Sequence, residues 1–216
     1  MRRTALLIIL LLLAPGACRN DRGPDATPVV PDGNGETSGE KHPHGGPVLA
    51  IGDSILLGAT EHGELANQLA LDGWELESIA EEGRSTSWAA GVIEQRTSVP
   101  RYVVVVLGSN PGHSSVGFAD DVMALRNALV DRGARRIVWI PPHNTDPERY
   151  AEKDRILRED DAADGRLYVP DWGSVLDASP EYVGGDGLHL TENGYHALSD
   201  YIRDALAREQ IGRAHV

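Results

Sequence analysis

Cysteine is almost missing from this chain: Cys18 is the single example in 216 residues. One thiol excludes an internal disulfide and any structural zinc centre built on several thiolates. Basic residues are scarce as well, with 20 Lys plus Arg against 33 Asp plus Glu and a formal net charge of −13. Phosphate backbones and anionic lipid surfaces are gripped by clustered Lys and Arg, so nucleic acid and direct electrostatic docking on a bilayer are both disfavoured. A membrane-spanning run is lacking too. The apolar stretch Leu6 to Ala14 holds nine residues, whereas a spanning helix needs about 20. There is no internal repeat. What is present, 41% hydrophobic and 25% charged residues, is the balance of an ordinary soluble domain with enough chain to bury its own core.

The N-terminus reads as an address. Arg2 and Arg3 precede the apolar run, which then meets Pro15, Gly16, Ala17 and Cys18, the order of charged, apolar and small-residue regions in a secretory signal. Because the cysteine directly follows small residues, the segment resembles a bacterial lipoprotein signal, in which that cysteine is lipidated and becomes the mature N-terminus. Pro15 departs from that pattern, which usually has leucine three positions before the cysteine. Residues 19–46 are dense in Pro, Gly, Asp and Ser with no apolar period, so they are expected to form a disordered tether. His42 and His44 within it read as solvent-exposed filler. The last six residues, IGRAHV, have a back-translation that resembles the start of a common sequencing adapter and are expected to be read-through. The sequence thus divides into a signal peptide (1–17), a tether (18–46), a domain (47–210) and a foreign tail (211–216).

From Val48 onward short apolar runs alternate with amphipathic ones. Residues 48–51, 74–80, 102–107, 137–140 and 167–169 are the expected strands. YVVVVL at 102–107 is apolar throughout, as in a parallel strand covered on both faces, whereas WELE at 74–77 alternates like an edge strand. Phe118, Val122, Leu125 and Leu129 place one stripe on a helix ending near Gly133, and Tyr195, Leu198, Ile202 and Leu206 do so on a last helix capped by Thr191. Helices are also expected over 55–71, 85–96 and 147–163. Strand followed by helix five times over implies an α/β fold, a three-layer α/β/α sandwich on a five-stranded, largely parallel sheet.

Ligands of such sheets gather where strands run out into helices. Ser54 stands just after the first strand, Gly83 after the second and Asn110 after the third, while Asp186 and His189 lie late in the chain, three residues apart. A serine hydroxyl needs a base to take its proton, and the base needs an acid to fix its tautomer. Asp186 and His189 can share one turn as orienter and base. A helix-terminal amide at Ser54, close backbone approach at Gly83 and the carboxamide of Asn110 suit a developing oxyanion. Each element also fits a plainer role: Asp53 and Ser54 as helix caps, Asp186–His189 as a turn, Asn110 as a turn before Pro111. His113 and His143 are rival bases without an acid at matching spacing, and Trp88, Trp139 and Trp172 read as core or pocket wall.

Taken in order, VLAIGDSILLGA, Gly83, LGSN at 107–110 and DGLHLTENGYHAL at 186–198 resemble the four sequence blocks of the SGNH, or GDSL, hydrolases over about residues 47–208. EEGRSTSWAAGV followed by LGSN is similar to the SGNH domains related to cell-surface polysaccharide O-acyltransferases. The resemblance implies Ser54 as nucleophile, His189 as base, Asp186 as its orienter, and the Ser54 and Gly83 amides with Asn110 Nδ2 as the oxyanion hole. Two positions depart from the family: Glu82 where Asn or a small residue is usual, which bears on the Gly83 amide, and Pro111 where many members have Asp.

The expected activity is an extracytoplasmic serine esterase that removes an O-acyl group, an acetyl above all, from a glycan or small ester. An O-acyltransferase using the same residues is the alternative on the same site, and a non-catalytic glycan-binding lipoprotein is the alternative of another class. No metal or organic cofactor is implied. The expected partners are the acylated substrate and, through the anchor on Cys18, a membrane; the protein is expected to be a monomer.

Overall fold

The computed structural model of the chain describes residues 45–110, 115–143 and 147–211. The expectations for the signal peptide, Cys18, the tether as far as residue 44, Pro111, His113 and residues 212–216 lie outside the described residues. Among the described residues no helix is long and apolar enough to cross a membrane.

Strands β1 (Gly46–Gly52), β2 (Trp74–Ala80), β3 (Tyr102–Val106), β4 (Arg136–Ile140) and β5 (Leu167–Tyr168) form one parallel sheet in the order β2-β1-β3-β4-β5. The all-apolar β3 is central and the alternating β2 is an edge, as their patterns require. Successive side chains of a strand point to opposite faces, so the sheet separates two cores. Val48, Ala50, Val104, Val106, Val138 and Ile140 face helices α1 (Ser54–Glu61), α2 (Leu65–Ala70), α6 (Trp172–Ala178) and α7 (Glu192–Ile211). Leu49, Ile51, Val103, Val105, Ile137 and Trp139 face α3 (Thr86–Glu94), α4 (Ser115–Asp131) and α5 (Pro147–Ala163). The result is the three-layer α/β/α sandwich.

Both periodic helices bury the stripes read from the sequence: Phe118, Val122, Leu125 and Leu129 on α4, and Tyr195, Leu198, Ile202 and Leu206 on α7. Thr191 Oγ1 accepts from the Gly194 amide at 3.3 Å and so caps α7. Two features differ from expectation. The helix anticipated over 55–71 is two helices, because Glu64 takes a left-handed φ of 53° between them. Gly63 lies so close to α7 that an added Cβ would sit 2.4 Å from the Tyr195 carbonyl oxygen. The chain turns there to clear its neighbour. The other difference is α6, a seven-residue helix that sequence periodicity did not announce.

Candidate active site

Ser54 is the first residue of α1, directly beyond the carboxyl end of β1. The preceding Asp53 is fully buried and caps the helix, its Oδ1 accepting from the Ile55 amide at 3.0 Å. On the far side of the chain, residues 183–190 form a tight loop closed by a bridge between Val183 and Leu190, with the Gly184 amide donating to the His189 carbonyl at 2.6 Å. This loop carries Asp186 and His189 to Ser54. His189 Nε2 lies 3.0 Å from Ser54 Oγ and His189 Nδ1 lies 2.6 Å from Asp186 Oδ2.

The electrostatics fix the direction of those bonds. Asp186 accepts from the His189 ring and, through Oδ1, from the Leu188 and His189 amides at 2.9 Å each. The His189 bond is the largest influence, and together they lower the Asp186 carboxyl to about 2. An ionised acid can only accept, so Nδ1 carries the proton in neutral His189 and Nε2 is left to accept from the Ser54 hydroxyl. That is the arrangement required of a base poised on a nucleophile.

Gly83 sits in a turn after β2 with φ +70°, the left-handed region that favours glycine. Asn110 follows β3 and reaches across to both neighbouring loops: its Nδ2 donates to Asp53 Oδ2 at 3.0 Å and to the Arg84 carbonyl at 3.2 Å. Both carboxamide hydrogens are therefore engaged. Ser54, Glu82, Gly83, Asn110, Leu188 and His189 together line an open cleft of about 240 Å³. All five residues singled out from the sequence thus meet in one place, four of them as cleft lining and Asp186 behind His189. A larger groove of about 580 Å³ between α4 and α5 contains none of them.

Several contributors were not legible in sequence. Lys153 Nζ donates to the Gly108 carbonyl at 2.6 Å and the buried Tyr150 hydroxyl donates to the Ser109 carbonyl at 2.9 Å, so α5 holds the backbone that presents Asn110. Glu82, noted above as a departure from the family pattern, and Leu188, within the last sequence block, also line the cleft. His143, read as lacking an acid, has one: Asp177 Oδ1 lies 3.2 Å from its Nε2, supplied by α6. The Ser174 hydroxyl in the same pocket donates to Asp171 at 2.6 Å, so no serine is paired with His143 among the described residues. Trp139 and Trp172 are core residues, and Trp88 lies half-buried beneath the Arg84 guanidinium at 5.3 Å. Among the described residues no group of three or more His, Cys, Asp or Glu side chains is placed to hold a metal ion.

Burial dominates at Asp53 and pushes its carboxyl up from 3.8 to about 6, against the opposing bonds from Ile55 and Asn110. A carboxyl raised in the folded state binds more protons there than when unfolded, so its contribution to stability is greatest below about pH 4 and is lost as pH rises through about 6. Relative to Asp53→Asn, whose side chain does not titrate, wild type is expected to lose several degrees of thermal midpoint across that window and to run parallel above it. A constant difference from pH 4 to 8 would contradict the assignment.

No family model and no curated protein matches the sequence. Solved structures do. The catalytic domain of the Streptococcus pneumoniae peptidoglycan O-acetyltransferase OatA superposes with a TM-score of 0.62 at 23% identity over 77% of this chain and 95% of that one. A protein assigned as an SGNH hydrolase from Slackia heliotrinireducens gives 0.57 at 17% over 73% and 97%. The Clostridium thermocellum family 3 carbohydrate esterase gives 0.51 at 16% over 76% and 99%. At these identities the likeness concerns the fold: the chain has the α/β/α architecture of the SGNH hydrolases, with Ser54, His189 and Asp186 in contact at the carboxyl edge of its sheet.

Proposed function

We propose that the protein is a serine esterase acting on short O-acyl groups, acetyl above all, of a glycan or small ester. The observation that carries this reading is the unbroken contact from Asp186 through His189 to Ser54, at 2.6 and 3.0 Å, opening into a cleft. His189 takes the Ser54 proton as Oγ attacks the ester carbonyl. The tetrahedral oxyanion is met by the Ser54 and Gly83 amides and by Asn110 Nδ2, which exchanges its longer bond to the Arg84 carbonyl for the charged oxygen. His189 then returns the proton to the leaving alcohol, and water repeats the sequence to free the acid.

A second reading uses the same acyl-enzyme but replaces water with a sugar hydroxyl; it is favoured by the fold shared with an O-acetyltransferase domain. A panel of acyl esters and acetylated glycans, run with and without a sugar acceptor, tests both. Release of free acid supports the esterase, acceptor-dependent acyl transfer supports the transferase, and neither product would refute the shared mechanism.

The same proposal places the domain outside the cytoplasm, carried by the signal at 1–17 and tethered through Cys18. One acyl chain holds a protein to a bilayer only marginally and several hold it firmly. Cys18→Ser is therefore expected to move tagged full-length protein from the membrane fraction to the soluble one. Equal partition of the two forms would favour simple secretion.

A further inference from the structure

The lining of the cleft carries formal charge of one sign. Of its six lining residues, Glu82 alone carries a full formal charge when His189 is neutral. Glu82 is exposed, stands in the turn that presents Gly83, and makes no ion pair or side-chain hydrogen bond among the described residues. Behind His189 the ionised Asp186 adds a second negative charge. Among the described residues neither neighbouring cation pairs with Glu82. Arg84 binds Glu81 Oε2 through Nε at 2.8 Å and Nη2 at 2.5 Å and lies over Trp88. Lys153 donates to the Gly108 carbonyl and lies over Phe118. Among the described residues nothing pairs with Glu82, so the cleft lining presents its negative charge to whatever enters.

Resting on the esterase reading above, we infer that Glu82 sets specificity by charge: the cleft takes esters whose alcohol part carries a positive group near the scissile bond, such as amino-bearing alcohols and sugars, and rejects carboxylate-bearing ones. The charge must fall on the alcohol because an acetyl group has none. A charge pair near contact distance corresponds to a discrimination of roughly 5-fold in bulk water, rising toward about 1,000-fold at a protein surface. Size does not produce this ranking, since the probes can be matched in shape.

The test uses the purified protein with acetylcholine, its uncharged carbon isostere 3,3-dimethylbutyl acetate, and 4-acetoxybutyrate. At low salt kcat/KM is expected to fall roughly 5-fold or more at each step from cation to neutral to anion, and the ranking is expected to flatten near 0.5 M salt, where screening acts within a few ångströms. Glu82→Gln should compress the ranking toward unity and Glu82→Lys should invert it, with thermal midpoints checking that both variants fold. Hydrolysis of all three esters at equal kcat/KM by wild type, or an undiminished ranking in Glu82→Gln, would overturn the role of Glu82 while leaving the esterase reading intact. Absence of turnover with every ester would overturn the esterase reading, and this inference with it. Should the Glu82 variants lose turnover altogether, the salt dependence of the wild-type ranking decides.

Discussion

Ser54→Ala is expected to lower ester turnover by at least about 10⁴-fold while leaving the fold intact. The size follows from the chemistry, because the variant lacks the oxygen that forms the covalent bond and, among the described residues, no other hydroxyl lies against His189. The intact fold follows from the position. Ser54 opens α1, alanine is the best helix former, and the cap on that helix comes from Asp53. Its partly exposed side chain makes one bond, to His189, so the stability change should stay within about 1 kcal/mol. Steady-state rates and a thermal scan on the same preparation measure both effects. Retained turnover in Ser54→Ala would end the nucleophile assignment.

Asn110→Ala is expected to reduce kcat roughly 100- to 1,000-fold with little change in KM, because a bond to the carbonyl oxygen strengthens as that oxygen becomes charged. This variant should also destabilise the protein. Asp53 is fully buried, and Asn110 Nδ2 is one of its donors at 3.0 Å. Losing that donor leaves a buried carboxyl oxygen short of a partner, at a cost of about 1–3 kcal/mol. The two effects are separable because a purely structural Asn110 would produce the second alone. Measuring kcat, KM and thermal midpoint together distinguishes them, and a destabilised variant with full activity would refute the oxyanion role.

Much of the fold was legible because the sheet is buried on both faces. Its strands are forced to be apolar at nearly every position, as in YVVVVL, and the helices that cover it expose one side and so keep a clear period. The break between α1 and α2 was hidden by the same logic. Leu56, Ala59, Leu65 and Leu69 are buried on both sides of it, while the cause of the break, Gly63 against Tyr195, is a contact made more than a hundred residues away in sequence. Helix α6 is too short to establish a period.

The site divides in a similar way. Ser54, Gly83 and Asn110 could be picked out because each follows a strand, and Asp186 with His189 because three residues separate them and one turn joins them. The bond from Asn110 to Asp53 spans 57 residues, the hold of Lys153 on the Gly108 carbonyl 45, and the pairing of His143 with Asp177 34. No local pattern encodes such contacts; they exist only once the strands are ordered. The charge of the cleft was hidden for the same reason, because Glu82 matters through what fails to neutralise it.

The central claim is that Ser54 carries the acyl group. A fluorophosphonate probe, which reacts with activated serine hydroxyls, tests it most directly on the full-length protein, with the adduct located by peptide mass spectrometry. One stoichiometric adduct on Ser54 is expected, formed at the same rate as ester hydrolysis is lost and abolished by His189→Gln. Complete loss of hydrolysis with Ser54 unmodified, or labelling that maps to another residue, would contradict it.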